Sequence, residues 1–256
     1  MPDKPFETLF TGRHHIRLEE VESTNTFALE LVRTGQAAEG TVISAKSQTA
    51  GRGQRGNTWN SAPGENLTVS IVLRPGFLAP ALQFDLTRVV ALALAEQVQT
   101  CCPQTDVKVK WPNDIYIGSR KVAGILIENI LGSTRFIAAV VGIGLNVNQH
   151  SFGELSSKAT SLKLASGNDF DHEILLQQLC SVLEKYYLML RAGKQEELRQ
   201  LYHEKLFLRG EMAVFSSNGE RFRGTITGTT PEGLLMLTTE AGEERQFVFK
   251  EVVFEG

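Results

Sequence analysis

Four short stretches of the chain carry groups suited to holding negative charge. Residues 51–59 read GRGQRGNTW. Gly51, Gly53 and their neighbours let backbone N–H groups approach a ligand closely, and Arg52 and Arg55 add two cationic forks. A carboxylate or a phosphate is what such a loop can hold. A dinucleotide fingerprint or a P-loop would need a strand, then glycines, then a helix N-terminus. Here the glycines fall between two strand-like runs, GTVISAKSQ and NLTVSIVLRP, and no G-K-[ST] follows, so both readings fail. Taken alone, the stretch fits a ligand loop and a solvated basic turn equally well. Trp59 suits either stacking on a flat ring or anchoring the loop.

The second stretch, KWPNDIYIGSRKVAGILIEN at 110–129, is a hairpin pattern interrupted at Pro112, which removes a ladder donor and holds Trp111 extended. Asn113 and Asp114 offer polar groups at the interruption, Lys110 and Lys121 bracket the hairpin, and Gly124 weakens a strand unless something must approach its backbone. The third is VVGIGLNVNQ, where Gly142, Gly144 and Asn146 recur at period two and share a face: a bare floor followed by an amide. Close helix-to-sheet packing would explain the two glycines as well. The fourth is ESTNTF at 22–27, where Ser23, Thr24 and Asn25 are good helix caps and also suit the polar edge of a urea or amide.

These stretches need a scaffold, and the flanking patterns supply one. TNTFALELVRTG reads as a helix closed by Gly35, and residues 82–100 as a core helix that is apolar around most of its circumference. VKVKWPNDIYI and KVAGILIENI are β-rich runs separated by GSR, and RFIAAVVGIGLNVN is a further strand. Residues 172–206 carry helical periodicity in two segments divided near RAGK. From about Gly210, short strands are punctuated by NG, PEG and AGE, the pattern of a small antiparallel barrel that must pack on the larger unit. Strands and helices alternate irregularly, so the expected class is α+β.

The 256 residues are enough for a sizeable core, and 42% hydrophobic with 21% charged residues describes an ordinary globular chain. A formal net charge of −3 argues against nucleic acid as the main partner. No signal peptide opens the chain and no apolar run reaches bilayer length, so no membrane partner is expected. Cys101, Cys102 and Cys180 fit neither a disulfide framework nor a metal spacing, and the plain reading is reduced thiols in the cytoplasm. The five histidines form no ligand pattern.

Together the four stretches resemble one family. S-T-N at 23–25, Q-x-x-G-R-G-x-x-G-x-x-W from Gln48 to Trp59, K-W-P-N-D at 110–114 followed by Lys121 and A-G-I-L, and G-x-G-x-N-x-N from Gly142 to Asn148 look like biotin protein ligase. The K-W-P-N-D element is the specific one. KATSLKLASG is a further likeness, and the C-terminal strands look like that family's SH3-like domain. The resemblance implies a mixed sheet backed by helices, similar to class II aminoacyl-tRNA synthetases, with a catalytic domain over 1–208 and an SH3-like domain over 209–256.

The implied activity is ligation in two steps. Biotin and ATP, with Mg²⁺, give biotinyl-5′-AMP and pyrophosphate, and a lysine of a biotin carboxyl carrier domain then takes the acyl group. Position by position, the resemblance implies that Ser23, Thr24, Asn25 and Gln48 hold the ureido end of biotin. Gly51, Arg52, Gly53 and Gln54 would wrap the carboxylate and phosphates, with Lys121 as the central cation. Gly124, Ile125, Gly142 and Gly144 would form the open apolar walls. Arg55, Trp59, Lys110, Asn113, Asp114 and Asn146 would line the nucleotide side, Asp114 orienting either the incoming lysine or a metal. No protein motif for a metal is present.

Many relatives read G-R-G-R-x-G-R-x-W, whereas Gln54 and Asn57 stand here at two of the arginines. About 20 residues precede Ser23, too few for a three-helix DNA reader, so no DNA binding is expected. The family includes monomers and homodimers. A lipoate ligase shares the implied fold and acyl-adenylate logic and is the nearest rival. A non-catalytic biotin-binding adaptor is expected to lose the central lysine, and an RNA-binding synthetase paralogue to be basic.

Overall fold

The computed structural model describes residues 7–133 and 135–255, the side chain of Arg55 excepted. A seven-stranded sheet dominates. Its strands are β1 (His15–Val21), β2 (Val42–Gln48), β3 (Leu67–Leu73), β4 (Val107–Lys110), β5 (Asp114–Ile117), β6 (Arg120–Leu131) and β7 (Phe136–Leu145), in the spatial order β1-β2-β3-β7-β6-β5-β4. Only β1 and β2 run parallel; every other pair is antiparallel. The mixed sheet and its helices bear out the α+β reading.

Helices cover both faces. On one lies α1 (Thr24–Arg33), whose Ala28 and Val32 pack with Ile43, Val72 and Val140. On the other lie α2 (Phe84–Cys101), α4 (His172–Arg191) and α5 (Gln195–Lys205), with the short α3 (Leu162–Ser166) beside α2. β3 is buried on both faces, which explains its near-continuous apolar run. Ser23 caps α1, with its hydroxyl 3.5 Å from the Thr26 N–H, and Gly35 ends it in the left-handed region that favours glycine. The periodicity of 172–206 resolves into α4 and α5, as expected.

Pro112 does more than interrupt a strand. The run VKVKWPNDIYI reverses completely, and β4 and β5 pair antiparallel across the Trp111–Pro112–Asn113 turn. The reversal places Lys110 and Asp114 opposite one another, at the head of the hairpin. Two elements lie outside the sequence expectations: the edge strand β1, whose residues are mostly half-exposed, and α3.

The C-terminal strands β8 (Met212–Ser217), β9 (Glu220–Thr229), β10 (Leu235–Thr239), β11 (Glu244–Phe247) and β12 (Val253–Glu255) form a five-stranded antiparallel sheet in the order β11-β10-β9-β8-β12. Its buried Phe215, Ile226, Leu235 and Leu237 join the same apolar cluster as α2 and the large sheet. Polar groups fasten the junction. The fully buried Arg88 of α2 pairs with Asp85 and donates to the Thr229 hydroxyl at 3.0 Å and to the carbonyls of Thr230 and Pro231. Its guanidinium lies 4.6 Å from the Phe84 ring centre, and burial pushes its pKa down, opposed by Asp85. The Trp111 indole donates to the Gly233 carbonyl at 2.9 Å. No helix among the described residues is long and apolar enough to cross a membrane.

Asp85 is buried as deeply as Arg88, so removing the cation leaves that carboxylate with Arg199 as its remaining partner and strips the Thr229, Thr230 and Pro231 oxygens of their donor. Arg88→Met should lower the unfolding free energy by about 3–5 kcal/mol in urea titrations, whereas a loss under about 1 kcal/mol would contradict the role given to this junction.

Candidate functional site

Beside the N-terminus of α1 one face of the sheet is left bare. Two cross-strand rows form its floor: Ser70, Gly142 and Leu126 in one, Thr68, Gly144 and Gly124 in the other. The glycines are required by close approach. A Cβ on Gly142 would overlap the Asn25 amide, and one on Gly144 would overlap the Trp59 indole. Above this floor opens a cavity of about 530 Å³.

The polar end is built by α1 and β2. Gln48 Oε1 accepts from the Thr24 N–H at 2.8 Å and from its hydroxyl at 3.1 Å. The Ser70 hydroxyl lies 2.8 Å from Thr24 Oγ1 and 2.6 Å from Asn25 Oδ1. Ser23, Thr24 and Asn25 are all nearly inaccessible, which suits a small, largely uncharged ligand edge.

The cationic end is built by the glycine loop and the β4–β5–β6 hairpins. Arg52 and Lys121 line the same cavity. Each faces a carboxylate: Arg52 reaches Glu128 at 2.8 Å, and Lys121 reaches Asp114 at 2.6 Å. The Lys121 ammonium also lies 5.5 Å from the Trp59 ring centre. The backbone of Lys121 is clamped by KATSLKLASG, its N–H donating to the Lys158 carbonyl and its carbonyl accepting from the Thr160 N–H, both at 2.8 Å. That segment therefore serves to position the lysine.

Lys110 differs from both. Its ammonium sits among rings, 5.0 Å from the centre of Tyr116, 4.9 Å from that of Phe254 and 5.9 Å from that of Phe207. Desolvation lowers its pKa, with Asp114 opposing, and burial pushes the Tyr116 phenol up to about 12. A cation faced by aromatic surfaces keeps its charge available to an anionic ligand. Asn113 is fixed to β6, its amide donating to the Ile125 carbonyl at 2.8 Å. The Trp59 Nε1 and Gln54 Oε1 atoms are buried without a hydrogen-bond partner among the described residues, as at sites that await one.

Of the residues singled out from sequence, the cavity gathers Ser23, Thr24, Asn25 and Gln48 at one end. Arg52, Gly53, Gln54, Trp59, Lys110, Asn113, Asp114 and Lys121 line the cavity as well, together with Gly124, Ile125, Gly142 and Gly144, and the Arg52 guanidinium lies on the α1 side, 3.4 Å from the Thr26 hydroxyl. Two are not brought there. Asn146 lies past the end of β7, buried, with its amide donating to the Thr160 carbonyl at 2.9 Å. Gly51 sits under the loop, where a Cβ would overlap the Trp59 carbonyl. The Arg55 side chain lies outside the described residues.

Sequence reasoning missed Glu128, whose charge inside ILIENI reads as a solvated face. It also missed Phe249, Lys250 and Phe254, which reach the cavity from the C-terminal sheet through tertiary packing alone. Among the described residues no group of three or more His, Cys, Asp or Glu is placed to hold a metal ion, and Asp114 and Glu128 already face cations.

A family model described as the Biotin/lipoate A/B protein ligase family matches residues 18–148. The chain is 34% identical to the bifunctional ligase/repressor of Bacillus subtilis over 92% of this chain and 73% of that one. It is 32% identical to the biotin–[acetyl-CoA-carboxylase] ligase of Paracoccus denitrificans, covering 89% of this chain and 95% of that one. Among solved structures it is similar to the biotin protein ligase of Aquifex aeolicus in complex with biotin and ATP, at 27% identity and a TM-score of 0.79, over 95% and 99% of the two chains.

The contact between Gly144 and Trp59 can be tested without a ligand. Gly144→Ala should drive the indole off the floor and shift its emission to the red, and an unchanged spectrum would contradict this packing.

Proposed function

Because the chain belongs to the biotin/lipoate A/B protein ligase family, we propose that its cavity joins biotin to AMP and passes the biotinyl group to a protein lysine. It is an ATP-dependent ligase. The observation that carries this reading is the convergence of Arg52, Lys121 and Lys110 on one cavity that is also lined by a buried amide and hydroxyl cluster. Its volume of about 530 Å³ falls within the usual range for small-molecule sites.

In the first step a carboxylate oxygen of biotin attacks the α-phosphorus of ATP. The bond from that phosphorus to the bridging oxygen breaks, and pyrophosphate leaves. Both reactants are anions, so fixed cations must face the point where they meet. Arg52 and Lys121 supply them, with the backbone of Gly53 and the side chain of Gln54 beside them. Ser23, Thr24, Asn25 and Gln48 hold the ureido ring; Gly124, Ile125, Gly142 and Gly144 leave room for the bicycle and its chain. Trp59, Lys110, Asn113 and Asp114 take the nucleotide side, joined by Phe249 and Phe254. Asn146 and Gly51 act behind the wall, through Thr160 and Trp59.

In the second step a neutral lysine ε-amine attacks the acyl carbon. The bond to the phosphate oxygen breaks, AMP leaves, and the amine gives up a proton. Asp114, beside Lys121 and open to the cavity, is positioned to orient that amine. The acceptor is a lysine on a biotin carboxyl carrier domain. Magnesium carried by the nucleotide would offset triphosphate charge, with Asp114, which lines the same cavity, as the carboxylate that would face it. We divide the chain into a catalytic unit over 1–208 and a C-terminal SH3-like unit over 209–256, and assign it to the cytoplasm.

The family embraces lipoate as well as biotin ligases, and the relatives reported above favour biotin. Exchange of labelled pyrophosphate into ATP should depend on biotin and not on lipoate; the reverse dependence would overturn the assignment. Lys121→Ala should slow that exchange by about 10²–10³ without unfolding the protein, and a near-normal rate would remove Lys121 from the central role.

A further inference from the structure

Glu128 stands behind two cavity-lining residues, Asn25 and Arg52, and the ligase reading leaves it without a task. It stands on β6 with about a quarter of its side chain exposed. Both of its oxygens meet Arg52, and one of them is shared with Asn25. Oε1 accepts from Arg52 Nη2 at 2.8 Å, while Oε2 accepts from Asn25 Nδ2 at 2.9 Å and from Arg52 Nη1 at 3.3 Å. Arg52 also reaches the Thr26 hydroxyl at 3.4 Å. A continuous polar chain thus runs from Gln48 through Thr24, Ser70, Asn25 and Glu128 to Arg52.

The chemistry of the groups gives this chain a direction. A carboxylate can only accept, so it draws the NH₂ of Asn25 toward itself. The second N–H contact of that amide is the Leu126 carbonyl at 3.3 Å, so both donors face β6. The Asn25 oxygen is left turned toward Ser70, over the bare floor at Gly142, as an acceptor. A ring N–H of a urea needs such an acceptor. Beside Asn25, Glu128 also faces the guanidinium that the ligand's acid would meet.

We propose that Glu128 is a positioning residue that fixes Asn25 as an acceptor and, in the empty site, holds Arg52 as a provisional counter-ion. The proposal rests on the ligase reading. An exposed ion pair alone would carry little weight. What sets this one apart is that the oxygen shared with Arg52, Oε2, also accepts from the buried amide of Asn25. An acid entering the cavity shares or replaces Glu128 at Arg52, so the carboxylate of biotin contributes less to affinity than an unopposed arginine would give. Selectivity then rests on the ureido end, and the loop is held near the floor before ligand arrives.

The test compares biotin with biotin methyl ester by calorimetry, in the unmodified protein and in Glu128→Gln and Glu128→Ala. In Glu128→Gln the amide oxygen still accepts from Asn25, while the charge opposing the ligand acid is gone. The preference for biotin over its ester should rise about tenfold, with ester affinity changed by less than about threefold. In Glu128→Ala both ligands should weaken, because Asn25 loses its guide. An unchanged preference in Glu128→Gln would overturn the counter-ion role, and undiminished ester binding in Glu128→Ala would overturn the guiding of Asn25. Failure of the unmodified protein to bind either compound would instead overturn the ligase reading.

Discussion

Two anions that must react repel each other, and the site is organised around that repulsion. Like unit charges 4 Å apart repel by about 1 kcal/mol in bulk water and by about 4 kcal/mol at an effective dielectric constant of 20. A cavity that excludes water therefore worsens the problem unless it brings fixed cations. Arg52 comes from the glycine loop, Lys121 from β6 and Lys110 from β4, so no single element supplies the charge. The price in the empty state is self-repulsion among the cations, and the protein meets it in two ways. Asp114 and Glu128 neutralise two of them, and aromatic faces surround the third. On the proposed reading, a triphosphate and a carboxylate would meet these three cations already in place.

The rest of the fold holds this arrangement still. The antiparallel pairing of β3, β7 and β6 sets Gly142 beside Ser70 and Gly144 beside Gly124, which flattens the floor where α1 begins. The β4–β5 reversal at Pro112 turns Asp114 back toward Lys110, and the 158–160 segment clamps the backbone of Lys121. Arg88 and Trp111 tie the C-terminal sheet to the same body, so that Phe249 and Phe254 form a wall and not a loose flap.

Much of this was legible in the residues. The cap at Ser23, the two-sided apolar run of β3 and the bare face at Gly142 and Gly144 each follow from a local rule of spacing or sterics. The illegible parts depended on contacts distant in sequence. β1 is a half-exposed edge strand whose HIRLEEV shows no strong alternation, and its pairing with β2 is all that defines it. Asn146 continues the period of Gly142 and Gly144 on paper, but β7 ends at Leu145 and the next side chain turns to Thr160. Nothing near Lys250 or Phe254 announces a cavity more than a hundred residues away in sequence. Glu128 was hidden by its setting, since one charge in an apolar strand resembles an ordinary solvent-facing position.

A crystal structure with biotin and a non-hydrolysable ATP analogue bound together tests the central claim most directly. The account predicts that the biotin carboxylate and the α-phosphate lie side by side in this one cavity, each about 2.7–2.9 Å from a nitrogen of Arg52 or Lys121. Two ligands in separate clefts, or both acids facing away from Arg52 and Lys121, would contradict it.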